Sequence, residues 1–146
     1  MSAHELAVRV YFEDTDAGGI VYHANYLRFA ERARTELLRS RGYHNRQLAE
    51  EHGLLFAVAR AELAFLLPAR LDDLLTVRTT PLSFKGVRLE LLQEVWRGAT
   101  QLARIEVTLA LIDRDSLRPK RLPAPLRQAL EAALAGARLD FLLLCA

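Results

Sequence analysis

Apolar residues fall into two rhythms along the chain. From Leu6 to Phe12 they alternate, with Val8, Val10 and Phe12 on one side of an extended segment and Arg9 and Tyr11 on the other, which predicts a strand. From Ala24 to Arg41 the spacing becomes helical. Leu27, Ala30, Ala33, Leu37 and Leu38 form an apolar stripe, while Arg28, Glu31, Arg32, Thr35 and Arg39 lie largely elsewhere. Tyr26 and Phe29 widen that stripe, so the helix is expected to be well buried. Gly42 suits the position just past its end. Asn45 to Gly53 reads as a short, mostly polar helical turn or loop.

Four strand candidates follow. Leu54 to Leu67 is long and stops at Pro68. Asp73 to Thr80 is short and rich in Thr and Val. Val87 to Arg97 alternates through Leu89 and Leu91, and its phase slips at Leu91-Leu92, which predicts a bulge. Arg104 to Ile112 is the most regular, with Ile105, Val107, Leu109 and Leu111 facing one way and Glu106 and Thr108 the other. Gly98 to Gln101 fits a hairpin turn. Pro119, Pro123 and Pro125 mark a rigid exit, and Leu126 to Leu134 predicts a short helix ended by Gly136. One strand, one long helix and four strands in succession make an α+β order, not the alternation of a parallel doubly wound sheet. No repeat, linker or low-complexity tract divides the chain, so one domain is expected over 1–146, with its core at about 7–125.

Composition narrows the function classes. The 146 residues carry 20 basic and 18 acidic side chains, a net charge of +2, and the mixture gives no reason to expect a nucleic-acid partner. The single cysteine, Cys145, excludes a disulfide framework or a cysteine-based zinc site within one chain. No apolar run approaches the ~20 residues of a membrane span, and the first residues lack the form of a secretory signal. A cytoplasmic protein is the expectation.

Chemistry concentrates between Tyr11 and Tyr26. Glu13, Asp14 and Asp16 precede Gly18-Gly19 and the start of the long helix. Asp14, Asp16 and Gly19 imitate the opening of a calcium-binding loop, but Asn25 stands where the bidentate Glu is required. Gly18-Gly19 without a following Gly-Lys-Ser/Thr is no phosphate loop. A plain polar turn is the simplest account of Asp-Thr-Asp. Ile20, Val21 and Tyr22 argue for more, because they hold a carboxylate close to a helix N-terminus whose free N–H groups stabilise charge developing on a carbonyl oxygen. A carboxylate that attacks a carbonyl or activates water, beside such amides, suits thioester hydrolysis. The thiolate leaves without strong acid assistance.

The stretch Arg9-Val10-Tyr11-Phe12-Glu13-Asp14-Thr15-Asp16-Ala17-Gly18-Gly19-Ile20-Val21-Tyr22-His23-Ala24-Asn25-Tyr26-Leu27 resembles the active-site signature of the 4-hydroxybenzoyl-CoA thioesterase family. The closer resemblance is to the Tol-Pal-associated acyl-CoA thioesterase branch, to which Glu31 to Glu36 and Pro68 to Asp73 are also similar. The similarity runs from about Ala7 to about Pro125. It implies a hotdog fold, an antiparallel five-stranded sheet wrapped around one long central helix, assembled as a homodimer or homotetramer with active sites at the dimer interface. It implies that Asp16 is catalytic, as nucleophile or general base, and that His23 supplies the oxyanion N–H. Benzoyl-type relatives often carry Tyr at that position; His23 favours aliphatic acyl-CoA. No metal or redox cofactor is implied, and acyl carrier protein thioesters are a second candidate substrate.

Around that centre, Gly19, Tyr22 and Tyr26 are candidate substrate-binding residues, although core packing is expected for at least two of Tyr11, Tyr22 and Tyr26. Asp14 is expected to shape the loop. Lys85 and Arg88 are candidates for CoA phosphates, as are Arg118, Lys120 and Arg121. His4, His44 and His52 are expected at the surface, and Trp96 half-buried in the sheet. A hotdog dehydratase is a rival, but the spacing of Asp16 and His23 around Gly18-Gly19 departs from its pattern. An acyl-binding or scaffold protein of the cell-envelope Tol-Pal system, with little turnover, is the alternative from another class. The apolar tail Arg138 to Ala146 is expected to pack on its own domain or on a neighbouring subunit.

Overall fold

The computed structural model describes residues 3–135; Gly136 and the apolar tail lie outside the described residues. Five strands, β1 (His4–Arg9), β2 (Leu54–Phe65), β3 (Leu74–Lys85), β4 (Arg88–Arg97) and β5 (Thr100–Asp113), form one antiparallel sheet in the order β1-β3-β4-β5-β2. Three helices complete the fold: α1 (Asn25–Ser40), α2 (Asn45–His52) and α3 (Ala124–Leu134). The expected α+β architecture, one long helix and five antiparallel strands, is what the chain adopts.

The helical stripe buries Tyr26, Phe29, Ala30, Ala33, Leu37 and Leu38. All but Leu38 join one sheet face that includes Val8, Leu75, Val77, Leu89, Leu91, Ile105, Leu109 and Leu111 in a single core. Leu27 departs from the expectation and is exposed. It sits next to Tyr26 at the helix start, where one side chain of the pair must turn away from the core. The end of α1 is a Schellman motif. Gly42 takes φ +89°, its N–H bonds to the Arg39 carbonyl at 3.0 Å and the Tyr43 N–H to the Leu38 carbonyl at 3.0 Å.

Three strand expectations need correction. β1 ends at Arg9, and Phe12 is 82% exposed instead of sharing the buried face of Val8 and Val10. The cause is local: the Asp14 carboxylate accepts the Tyr11 N–H at 2.8 Å and curls Phe12–Asp14 into a 3-10 turn. β3 continues past Thr80 through the buried Pro81 to Lys85. Its register against β4 shifts between Pro81 and Ser83, so Leu82 is the extra residue of a bulge that tolerates the proline. β4 has no slip at Leu91-Leu92. Leu89, Leu91, Gln93 and Val95 are all buried in unbroken alternation, and a polar residue on the core face gives the sequence its apparent change of phase.

Gln93 is fully buried because its amide is satisfied. Its Nε2 donates to the Ala30 carbonyl at 2.8 Å and to Thr79 Oγ1 at 2.9 Å, and its Oε1 accepts from Arg34 at 3.0 Å. The sheet thereby grips the middle of α1 and fixes the height of the helix whose first turn borders the acidic loop. Among the described residues no helix is long and apolar enough to cross a membrane.

Candidate active site

The acidic loop is a tight, internally bonded turn between β1 and α1. The Asp16 N–H donates to the Ile20 carbonyl at 2.9 Å and the Gly19 N–H to the Asp16 carbonyl at 3.0 Å. Gly19 closes the turn with φ +78°, a conformation that a residue with a Cβ takes only under strain. Asp16 Oδ1 accepts the Gly18 N–H at 2.8 Å, so one oxygen of an exposed carboxylate is tied to its own turn. The loop is also tied to β2's exit, where the Val21 N–H reaches the Ala69 carbonyl at 2.8 Å.

Asp14 acts as the expected loop-shaping acceptor. It is 4% exposed, and besides the Tyr11 N–H it accepts Asn25 Nδ2 at 2.8 Å, while its carbonyl takes the Tyr22 N–H at 2.9 Å. These bonds bring the loop against the first residue of α1. The Asn25 N–H is taken by the Tyr22 carbonyl at 2.8 Å. The N–H groups of His23 and Ala24 make no hydrogen bond among the described residues. They are helix-entry donors of the kind an anionic oxygen would fill.

Asp16 and His23 line one open groove of about 410 Å³ together with Ile20, Tyr26, Phe65 and Leu67. Tyr26 is buried at its floor, with its hydroxyl accepting the Ala69 N–H at 3.1 Å and its ring 5.5 Å from that of Phe65. Tyr22 is half-exposed, its ring 4.6 Å from the His23 ring, and Tyr11 is 61% exposed. Of the three tyrosines only Tyr26 packs in the core, against the expectation for at least two. The 3-10 turn and the helix entry point the other two outward.

The remaining candidates lie elsewhere. Lys85 and Arg88 face each other across the β3–β4 turn, whereas the groove borders the opposite end of β3, where the Asp73 carbonyl takes the Val10 N–H at 2.9 Å. Lys120 is engaged locally, donating to the His52 carbonyl at 2.7 Å. Arg118 and Arg121 are exposed, as are His44 and His52. His4 is only part-exposed, because β1 tucks it beside Arg41. Burial, followed by the charge of Arg41, holds its pKa below the ordinary histidine value. Trp96 is half-buried, as expected. Among the described residues no group of three or more His, Cys, Asp or Glu side chains is placed to hold a metal ion.

Sequence reasoning missed two features. One is the apolar groove wall, Phe65 to Pro68, whose signal is the run Phe65-Leu66-Leu67 breaking the alternation just before a proline. The other is a separate cavity of about 260 Å³ between the C-terminal half of α1 and the sheet, lined among others by Arg34, Leu38, Phe56, Val58 and Leu91. It shares no lining residue with the groove. Burial lowers the Arg34 pKa from its ordinary value, and the neighbouring Glu31 opposes that shift.

The groove sets an exposed carboxylate near the entry of the long helix on a five-stranded antiparallel sheet, and comparison with known proteins gives the chain its family. It belongs to the thioesterase-like superfamily, whose family model matches residues 10–130. The acyl-CoA thioesterase YbgC of Haemophilus influenzae is 42% identical over 122 residues, which span 84% of this chain and 90% of that protein. The acyl-CoA thioester hydrolase YbgC of Escherichia coli O6:H1 is 42% identical over 117 residues, 80% of this chain and 87% of that one. Among solved structures, a probable thioesterase from Bartonella henselae superposes with a TM-score of 0.80 at 41% identity, covering 84% of this chain and 100% of that one.

Proposed function

We propose that this chain hydrolyses short- or medium-chain acyl-CoA thioesters to the free acid and CoA, with Asp16 as the catalytic carboxylate. The observation that carries the reading is the placement of Asp16 and His23 on one groove, with the N–H groups of His23 and the adjoining Ala24 unbonded among the described residues. A thioester carbonyl carbon lies at Asp16 and its oxygen at the helix-entry amides. Attack by the carboxylate, or by water that it deprotonates, puts negative charge on that oxygen, where the N–H groups and the helix dipole stabilise it. The C–S bond then breaks and the CoA thiolate leaves and takes a proton; if the carboxylate attacked, water hydrolyses the resulting acyl–Asp16 anhydride to release the acid, and if water attacked, the acid is formed directly. Gly19 gives the turn its shape, Tyr22 flanks the entrance, and Tyr26 floors the groove.

The working form in this proposal is a homodimer, or a tetramer of such dimers. β2 is an edge strand with one side unpaired, and Val58, Phe65, Leu66 and Leu67 are exposed on it and at its exit. Two copies joined antiparallel along β2 would set the Phe65 end of one against the Leu54 end of the other. Each groove then adjoins the partner's 260 Å³ cavity, which would take the acyl chain. Lys85 and Arg88 stand on the order of 30 Å along β3 from their own groove at ~3.3 Å per residue. Their proposed role is therefore toward the phosphates of CoA bound in a partner's groove. Acyl carrier protein thioesters remain a second substrate class in this proposal, and the cytoplasm its location. A scaffold role in the Tol-Pal system has no support from the relatives named above, which are described as a thioesterase and a thioester hydrolase.

The test is release of CoA, followed with a thiol reagent, from straight-chain acyl-CoAs of increasing length and from 4-hydroxybenzoyl-CoA. Turnover of the aliphatic series, greatest at short or medium length, is expected. No turnover of any member would overturn the reading.

A further inference from the structure

Asp14 is a buried ionisable group that the hydrolysis itself does not use. We propose that Asp14 and Asn25 are a positioning pair that sets Asp16 and the helix-entry amides at their working separation; this rests on the assignment of Asp16 as catalyst. Both residues are 4% exposed. The carboxylate is held by neutral donors, the Tyr11 N–H and Asn25 Nδ2, each at 2.8 Å. Arg9 and Arg32 line the adjoining recess, yet among the described residues no Lys, Arg or His comes within ion-pair distance of Asp14. Burying a carboxylate on neutral donors alone is costly, so a merely space-filling residue would serve stability better.

What the pair accomplishes is geometric. Asp14 engages every polar group it has: its N–H reaches the Tyr11 carbonyl at 3.0 Å, its carbonyl takes the Tyr22 N–H at 2.9 Å, and its two carboxylate oxygens take Tyr11 and Asn25. Three segments meet there: the end of β1, the turn carrying Asp16 two residues on, and the first residue of α1. His23 and Ala24 lie between Tyr22 and Asn25, both of which Asp14 grips. Among the described residues, the Asp14–Asn25 bond is the one side-chain hydrogen bond that joins the turn carrying Asp16 to the first residue of α1. Alignment of that kind is worth much in rate, since a misplacement of about 1 Å costs ~10²-fold.

The test compares the wild type, Asn25→Ala, Asp14→Asn with Asn25 intact, and the reciprocal double variant Asp14→Asn/Asn25→Asp. In the double variant the amide at 14 accepts the Tyr11 N–H and donates to the carboxylate at 25, so the donor and acceptor pattern is reversed but complete. Rates are normalised to the folded fraction from circular dichroism. Asn25→Ala is expected to lower kcat by ~10²-fold with KM changed little, and the double variant to recover most of that loss. If Asn25→Ala fails to fold, Asn25→Ser, which refills the space but cannot reach Asp14, carries the same expectation. Folded single variants with wild-type kcat, or a folded double variant no better than the singles, would overturn the pairing. The Asp16→Asn variant, run alongside, separates the two claims: if it keeps full activity, the assignment of Asp16 has failed, whatever the pair does.

Discussion

Replacing Gln93 by Leu should unmake the link between sheet and helix at a calculable cost. Leu fills nearly the same volume and adds apolar burial, so packing changes little. Three hydrogen bonds disappear, to Ala30, Thr79 and Arg34. The two neutral bonds are worth about 0.5–1.5 kcal/mol each and the guanidinium bond about 1.5–3. Apolar transfer of the new side chain returns about 1–2 kcal/mol. The net loss is then about 0.5–5 kcal/mol, centred on ~3 kcal/mol, and for a domain of this size the central value lowers Tm by roughly 6–12 °C. Arg34 is left half-buried with its donors unmet, so Gln93→Leu/Arg34→Met should regain a good part of the loss. Thermal melts followed by circular dichroism, run as a double-mutant cycle, read both numbers. A Gln93→Leu protein that melts at or above the wild type would refute the account of how α1 is held on the sheet.

The other predictions rest on single contacts. Tyr26→Phe leaves the buried Ala69 N–H without its acceptor and should cost about 1–3 kcal/mol in chemical denaturation; an unchanged midpoint would show that the bond is idle. His4 has a folded pKa below its unfolded value of about 6.5. The unfolded chain therefore binds its proton first, and the stability it contributes is complete above about pH 6.5 and lost as pH falls through the lower folded value. His4→Gln should flatten the slope of Tm against pH in that window, and an identical slope would contradict the assignment. Val58→Glu places a charge on the exposed β2 edge and should shift sedimentation toward the monomer with loss of turnover; an active monomer would refute the dimeric site.

The parts of this fold written in periodicity were legible, and those decided by single polar residues were not. Ile105 to Leu111 and the stripe from Ala30 to Leu38 read correctly because each buried position repeats a spacing. The end of β1 did not, because one carboxylate, Asp14, outweighs the strand pattern that Phe12 continues. Gln93 misled in the opposite sense: a polar letter in a buried column looked like a slip, when its partners Ala30, Thr79 and Arg34 are distant in sequence. Pro81 concealed the second half of β3 for a similar reason, since the bulge at Leu82 that accommodates it has no signature of its own. That Asp16 and His23 would border one groove was legible because the acidic turn and the helix start are contiguous. The groove wall from Phe65 to Pro68 could not be tied to them before Val21 and Tyr26 were seen to bond Ala69.

The most direct measurement pairs Asp16→Asn with the wild type on one well-hydrolysed acyl-CoA and determines both kcat and the Kd of the unhydrolysed substrate. Asn preserves shape and can still accept the Gly18 N–H, so only the negative charge is lost. The account predicts kcat lower by at least ~10²-fold, with Kd and Tm essentially unchanged. Equal kcat in the two proteins would contradict it and move catalysis away from Asp16.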